Sequence, residues 1–196
     1  MAPRLSSERL LDAAERLLTD EGYAAVTTRR VAEAAGVNHG LVHYYFGSME
    51  ELFVQVLERF TARLIERQRE MYSRKAPFID KWRSAMDYLE ADLEAGYPKI
   101  WLELQALAWN RPELRARVAT VNARWRHVLT EAFEQAIEVY GLTDSLPVDA
   151  VVSLVMTFNQ GIMLERLSGV TTGQTDLLTF IDRTLKSFEA RKAVAG

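Results

Sequence analysis

Apolar residues recur every three or four positions along nearly the whole chain, which is the spacing of one face of an α-helix. A first helix is predicted to begin after an N-cap at Ser6 or Ser7 and to end at Gly22, because hydroxyl side chains cap helix N-termini and glycine ends helices. Long alternating stretches, which would predict β-strands, do not occur. The pattern therefore predicts an all-α protein.

Nine helices are expected, of which the first three are short and the last six mostly long. Ser48 and Glu51 fit the S-x-x-E capping box and mark the start of the fourth helix. The eighth is predicted from about 147 to 167 and the ninth from about 175 to 192. The eighth is apolar on more than one face, which predicts packing against both its own core and a second subunit.

Residues 27–46 have the pattern of a helix-turn-helix: a short helix, a glycine-centred turn and a second short helix. Thr27 is the predicted N-cap of the first of these helices, and Gly36 is its predicted end. In DNA-binding proteins the second helix of this motif enters the major groove, although a plain helical hairpin has the same spacing. The inner face of the first helix is predicted at Val31, Ala34 and Ala35.

Arg29 and Arg30 stand in the first turn of a predicted helix, where the helix dipole disfavours cations. This arrangement favours an external anion, and a DNA phosphate is the obvious choice. The alternative is a pair of solvated arginines.

The composition is that of an ordinary globular protein: of 196 residues, 48% are hydrophobic and 26% are charged. Cysteine is absent, which excludes disulfides, thiol nucleophiles and thiolate metal sites. No apolar stretch has the form of a signal peptide or a membrane span, so we expect a soluble cytoplasmic protein. The net charge of −3 means that any DNA binding depends on a local arrangement of residues.

The N-terminal third of the chain resembles the DNA-binding domain of TetR-family transcriptional regulators, from about Leu5 to Ile65. The resemblance implies a three-helix helix-turn-helix DNA-binding domain at residues 4–64. A six-helix ligand-binding and dimerisation domain at residues 65–196 would follow, pairing through its last two helices. The residues that carry the resemblance are Ala13-Ala14, Gly22-Tyr23, Thr27-Thr28, Ala32, Gly36-Val37 and Tyr45-Phe46.

The same resemblance implies which residues contact DNA. Those near the start of the motif would face phosphates, and those from 38 to 41 would lie at the base-reading end of its second helix. Gly40 would allow close approach to the bases because it has no side chain, whereas Asn38 is alternatively a simple N-cap. The implied residues are Thr27, Thr28, Arg29, Arg30, Asn38, His39, Gly40, Leu41, His43 and Tyr44.

Two positions depart from the family pattern, which usually has Tyr at His43 and Lys at Met49. Both usual residues favour phosphate contact, so the DNA backbone would be held more weakly here or by other groups. Residues 1–47 also carry five basic and six acidic side chains, so this part of the chain is not basic overall.

Other chemistry has less support in the sequence. His39 and His43 have the i, i+4 spacing of two zinc ligands, but a third ligand is needed and no HExxH motif is present. Phosphate-binding loops and nucleophile elbows are missing as well, so we expect neither catalysis nor a cofactor.

The second domain is rich in large apolar side chains on core-directed stripes, most of which are expected to be ordinary core. An effector pocket would use some of them together with a few polar groups such as Asn122 and Asn159. The candidates for the pocket are Trp82, Met86, Trp101, Leu104, Trp125 and Phe158.

The sequence therefore predicts a homodimeric transcriptional regulator that binds a roughly palindromic double-stranded DNA operator. We expect a repressor that a small apolar effector releases. The alternative is a helical small-molecule-binding or scaffolding protein that does not bind DNA.

Overall fold

The computed structural model describes residues 3–195, and within them it is all-helical, as predicted. A single 3₁₀ turn, Tyr23–Ala25, which the sequence pattern does not predict, joins the first two helices. None of the helices in this part of the chain is both long and apolar enough to cross a membrane. In chain order the helices are α1 (Pro3–Glu21), α2 (Thr28–Ala35), α3 (Gly40–Phe46), α4 (Met49–Ser73), α5 (Phe78–Glu94), α6 (Tyr97–Ala108), α7 (Pro112–Val139), α8 (Val148–Leu167) and α9 (Gln174–Ala195).

The N-terminus of α1 differs from the prediction. The helix already includes Pro3, and Ser6 lies inside it with only 4% of its surface exposed. Proline is tolerated in a first helical turn because its missing N–H has no partner there in any case. The predicted caps at Ser6 and Ser7 are therefore wrong, and both residues belong to the helix.

The chain folds as two compact units that are not continuous in sequence. Unit 1 comprises residues 1–64 and 92–121, and unit 2 comprises residues 65–91 and 122–196. Helices α4, α5 and α7 each contribute to both units, whereas α6 lies entirely in unit 1. The division into a DNA-binding domain at 4–64 and an effector domain at 65–196 stays a prediction, because compactness does not assign function.

Unit 1 packs α1 against α2, α3 and α6. The inner face of α2 consists of Val31, Ala32 and Ala35, whereas Ala34 is exposed. The prediction of Ala34 as a core residue is wrong, because a helix this short permits either set and only the position of its neighbours decides between them. The remaining fully buried side chains of unit 1 include Leu10, Val42, Leu52, Phe53, Val56, Ile100 and Leu104.

Helix α4 is held within unit 1 by ion pairs to two other helices. Arg59 binds Asp12 and Glu15 of α1 at 2.7 and 2.5 Å. Arg117 of α7 donates to both carboxylate oxygens of Glu58, at 3.0 and 2.7 Å, and to Glu51. Bidentate arginine–carboxylate pairs such as Arg117–Glu58 fix the relative orientation of the two side chains as well as adding stability.

The capping box predicted at the start of α4 is half formed. The hydroxyl of Ser48 accepts the N–H of Glu51 at 3.1 Å, as an N-cap does. The carboxylate of Glu51 accepts instead from Gln55 and Arg117. In a complete capping box the carboxylate of Glu51 would accept the backbone N–H of Ser48. Here it pairs with a guanidinium from another helix, which is a stronger partner.

Unit 2 has an aromatic-rich core. Phe78 lies edge-on to Phe133, with ring centroids 5.0 Å apart, and Trp82 is tilted against Phe158 at 6.0 Å. Val152 of α8 is fully buried in this core. Residues from α4, α5, α7 and α8 all contribute to the cluster.

Candidate nucleic-acid interface

The helix-turn-helix is formed as predicted, because its turns are specified locally. The hydroxyl of Thr27 accepts the N–H of Arg30 at 3.3 Å and caps α2. Gly36 ends α2 with φ of 62°, a conformation that favours glycine. The N–H groups of Gly36 and Val37 then bind carbonyls of the last turn of α2.

Helix α3 has one buried and one exposed face. Val42 and Phe46 point into unit 1 with 0% and 6% of their surface exposed. Tyr44 is 77% exposed and lies edge-on to the ring of Tyr45, with centroids 5.0 Å apart. Asn38, His39, Gly40, Tyr44 and His43 are all exposed, whereas Leu41 is half-buried.

Asn38 has a local role at the start of α3, whether or not it reads a base. Its side-chain oxygen accepts the N–H of Gly40 at 2.9 Å. This bond satisfies one of the unpaired donors at the helix N-terminus, although the residue at the cap position is His39. The side-chain oxygen of Asn38 thus already has a hydrogen-bond donor within the turn.

Gly40 is not required by the fold of the free protein. Its φ is not positive, and an added Cβ would meet only the side-chain oxygen of Asn38, at 3.4 Å. That distance is ordinary van der Waals contact. The fold therefore does not explain the glycine, and the missing side chain leaves this end of α3 open to close approach by another molecule.

The ring of His43 is oriented by the turn that follows α3. Its Nδ1 lies 3.0 Å from the carbonyl oxygen of Gly47. A carbonyl only accepts hydrogen bonds, so Nδ1 carries the proton in this contact. Among the described residues, no group of three or more His, Asp or Glu side chains is arranged to hold a metal ion.

The two arginines of the first turn of α2 have different surroundings. Arg29 is exposed, and so is Thr27, whereas Thr28 is half-buried. The guanidinium of Arg30 donates two parallel hydrogen bonds to Glu21, both of 2.6 Å. Sequence reasoning missed Glu21, because the partners stand nine residues apart on different helices and no helical spacing links them.

The six residues predicted for the effector pocket lie in both units. Trp82 belongs to the core of unit 2, and Met86, Trp125 and Phe158 pack against that core. Trp101 and Leu104 are buried in unit 1, with 8% and 2% exposure. Their role in one pocket stays a prediction.

Unit 2 contains three amide oxygens that are buried and have no hydrogen-bond partner among the described residues. They belong to Gln68 of α4, Asn122 of α7 and Asn159 of α8. Gln68 is three residues from Ile65 and four from Tyr72, both core residues, so it shares their face of α4. Buried polar groups are nearly always paired, which makes such groups candidates for contact with a ligand.

A surface cleft of about 480 Å³ lies in unit 1, between the α1–α2 connection and α6. Within it, Glu103 accepts the N–H of Tyr23 at 2.8 Å. Burial raises the pKa of Glu103, although the hydrogen bond from Tyr23 and the charge of Lys99 oppose this effect. The other lining residues are Ala24, Ala106, Leu107, Asn110 and Arg111.

Known proteins share both the motif and the whole fold. The family model "Bacterial regulatory proteins, tetR family" matches residues 10–56. The transcriptional regulator BetI of Rhizobium meliloti is 42% identical over 55 residues, a stretch that covers 28% of this chain and 27% of that protein. The transcriptional repressor AcnR of Corynebacterium glutamicum is 22% identical over 195 residues, covering 94% of each chain.

The fold similarity extends to a solved structure. The crystal structure of the regulator FadR from Bacillus subtilis in complex with stearoyl-CoA superposes with a TM-score of 0.73 at 18% identity. The superposition covers 91% of this chain and 96% of that one, so the two share a fold over most of their length. Because the motif, its turn geometry and the family model all coincide on the same residues, the N-terminal part of the chain carries the helix-turn-helix domain of the tetR family of bacterial regulatory proteins.

Proposed function

We infer that this chain is a sequence-specific DNA-binding transcriptional regulator whose affinity for its operator is controlled by a small molecule. The observation that carries this function is the exposed face of α3, which follows a correctly formed helix-turn-helix turn. Tyr44 on this face is 77% exposed, so its ring and hydroxyl are open to contact with another molecule.

The exposed face of α3, which we call the reading surface, fits the geometry of DNA. With α3 in the major groove, the exposed residues 38–40, 43 and 44 face base edges and groove walls. The N-terminal turn of α2 then presents its backbone N–H groups and Arg29 to a phosphate. Phosphate contacts hold the protein in register, and base contacts supply the sequence preference.

A homodimer would pair two reading surfaces on a roughly palindromic operator. Helices α8 and α9 carry large apolar side chains that are exposed in the single chain. Leu154 and Leu164 of α8 are 70% and 56% exposed, and Leu177 and Phe180 of α9 are 42% and 66% exposed. A second copy pairing through these last two helices would bury them.

Unit 2 offers the surroundings that a small effector requires. Its core is apolar and aromatic, and the unpaired amides of Gln68, Asn122 and Asn159 supply a few polar groups that would orient a ligand. The structure of FadR with stearoyl-CoA supports an effector with a large apolar part, and the name of AcnR supports a repressor. We propose release of the operator when the effector binds.

Helix α4 would carry the signal, because it contributes to both units. Within unit 1, Arg59 and Arg117 tie it to α1 and to α7. A shift of α4 would therefore be passed on to the helix-turn-helix. Coupling of about 1–3 kcal/mol is enough to change operator affinity by 5–150-fold.

A binding assay with the full-length protein and a generic 30-base-pair duplex tests DNA binding directly. We expect log K to fall linearly with log salt, and replacing Arg29 by Ala to reduce that slope by about one unit per bound subunit. Selection of bound genomic fragments then identifies the operator.

Glu33→Gln is a suitable control, since Glu33 is exposed on the same helix as Arg29. It removes a charge from α2 without touching the predicted phosphate contact. A protein that binds neither generic nor genomic DNA at low salt would instead be a helical small-molecule-binding or scaffolding protein.

A further inference from the structure

Arg30 and Glu21 form a two-pronged ion pair beside the first turn of α2. Nη1 of Arg30 donates to Oε2 of Glu21, and Nη2 donates to Oε1, each at 2.6 Å. Parallel N–H bonds of this kind are also how a guanidinium binds two oxygens of a phosphate. The carboxylate of Glu21 thus occupies the donors that Arg30 would offer to DNA.

The pair is present at every physiological pH. The hydrogen bond from Arg30 holds the pKa of Glu21 below its ordinary value of 4.5 and raises the pKa of Arg30. Glu21 is therefore ionised whenever the protein meets DNA.

The pair is also exchangeable. Its side chains are 42% and 38% exposed, and an ion pair open to solvent is held only weakly. A phosphate that approaches α2 can take the place of the carboxylate, but Glu21 then remains nearby as an uncompensated negative charge.

We propose that Glu21 competes with DNA phosphate for Arg30, so that the ion pair lowers the affinity of the protein for duplex DNA of any sequence. The inference rests on the proposed DNA-binding function. Since phosphate contacts carry no sequence information, the effect is uniform across sequences and depends on salt. Arg29, in the same turn, takes no part in this ion pair.

Glu21→Gln tests the competition, because glutamine keeps the size of the side chain and removes its charge. Affinity for a generic duplex is measured between low and moderate salt with full-length protein. One additional phosphate contact with a slope of about 0.9 corresponds to about fivefold tighter binding near 0.15 M salt. We therefore expect about fivefold tighter binding per subunit and a slope steeper by about one unit.

Asp20→Asn is the matched control. Asp20 is the neighbouring acid on α1, and its carboxylate accepts a hydrogen bond from the hydroxyl of Thr19 at 3.4 Å. Its removal takes away the same charge without releasing Arg30. We expect a smaller gain in affinity and an unchanged slope.

The double variant Glu21→Gln, Arg30→Ala assigns the gain to the released guanidinium, and we expect the gain to vanish there. Binding by Glu21→Gln that equals Asp20→Asn, or that is weaker than wild type, would overturn the inference, the latter because Glu21 would then be positioning Arg30. Absence of binding by every protein, wild type included, would overturn the proposed function itself. Thermal unfolding of each variant confirms that the fold is retained.

Discussion

Single residues in this protein change their chemistry according to what the fold brings next to them. Glu103 is one of several carboxylates that the sequence presents as ordinary surface charges. In the structure its Oε2 accepts the backbone N–H of Tyr23 at 2.8 Å, 80 positions away in the chain. The partly buried position raises its pKa above the ordinary value of 4.5.

This shift makes stability depend on pH with a defined sign. Because the pKa of Glu103 is higher in the folded state, this carboxyl binds more protons in the folded than in the unfolded state between pH 4.5 and the folded pKa. Its contribution to stability is fully present below 4.5 and is lost as the pH rises through the folded pKa. Glu103→Gln, whose amide oxygen can still accept from Tyr23, should therefore unfold at higher temperature than wild type at pH 7.

The gain should shrink as the pH is lowered toward 4.5, and thermal unfolding across this range measures it. Glu94→Gln removes the negative charge of an exposed carboxylate in the same unit and is the matched control for the loss of charge at Glu103. Equal pH profiles for wild type and Glu103→Gln would show that burial does not perturb this carboxyl.

At the scale of helices, α8 combines two kinds of surface. Val152 and Ile162 are buried, at 0% and 4% exposure, whereas Leu154 and Leu164 are 70% and 56% exposed. This agrees with the apolar character that the sequence shows on more than one face. Asn159 departs from the pattern, since its side-chain oxygen is buried without a hydrogen-bond partner in the described part of the chain.

Asn159→Leu should stabilise the protein. An unpaired buried polar group costs about 1–3 kcal/mol, and leucine has a similar volume. A change of 1 kcal/mol moves the melting temperature of a protein of this size by about 2–4 °C, so we expect a rise of about 3 °C. Thermal unfolding at a fixed protein concentration measures the change.

Gln160→Leu is the control on the same helix, because Gln160 is exposed and its amide is open to solvent. It should leave the melting temperature within about 1 °C of wild type. Destabilisation by Asn159→Leu would mean that the amide is paired in solution and is not held ready for an effector.

At the scale of the whole molecule, the exposed apolar side chains of α8 and α9 point to a dimer. Phe180→Asp places a charge where the proposed interface buries an aromatic ring, at 66% exposure in the single chain. We expect a monomer by sedimentation or light scattering at micromolar concentration, because a buried unpaired charge is strongly unfavourable. DNA affinity should fall as well, since one reading surface replaces two.

Trp109→Asp supplies the comparison for this test. Trp109 is 71% exposed in unit 1 and lies outside α8 and α9, so its replacement should leave the dimer intact. Dimerisation by Phe180→Asp at wild-type strength would place the interface elsewhere on the molecule.

The sequence by itself determined the all-helical fold and the helix-turn-helix. Helical periodicity is a property of residues three and four apart, and the turn depends on hydrogen bonds that span only a few residues. Thr27 and Gly36 cap α2 as predicted for that reason. Local chemistry was enough to place both ends of α2.

Only the tertiary structure decided which partner each polar group takes. Glu51 binds Arg117 instead of closing its capping box, and Arg30 differs from Arg29 because Glu21 folds next to it. These contacts join residues 66 and nine positions apart, between elements that no periodicity relates. A carboxylate or a guanidinium forms an ion pair with any opposite charge within reach. Its partner is therefore set by the packing of the helices and cannot be predicted from the sequence.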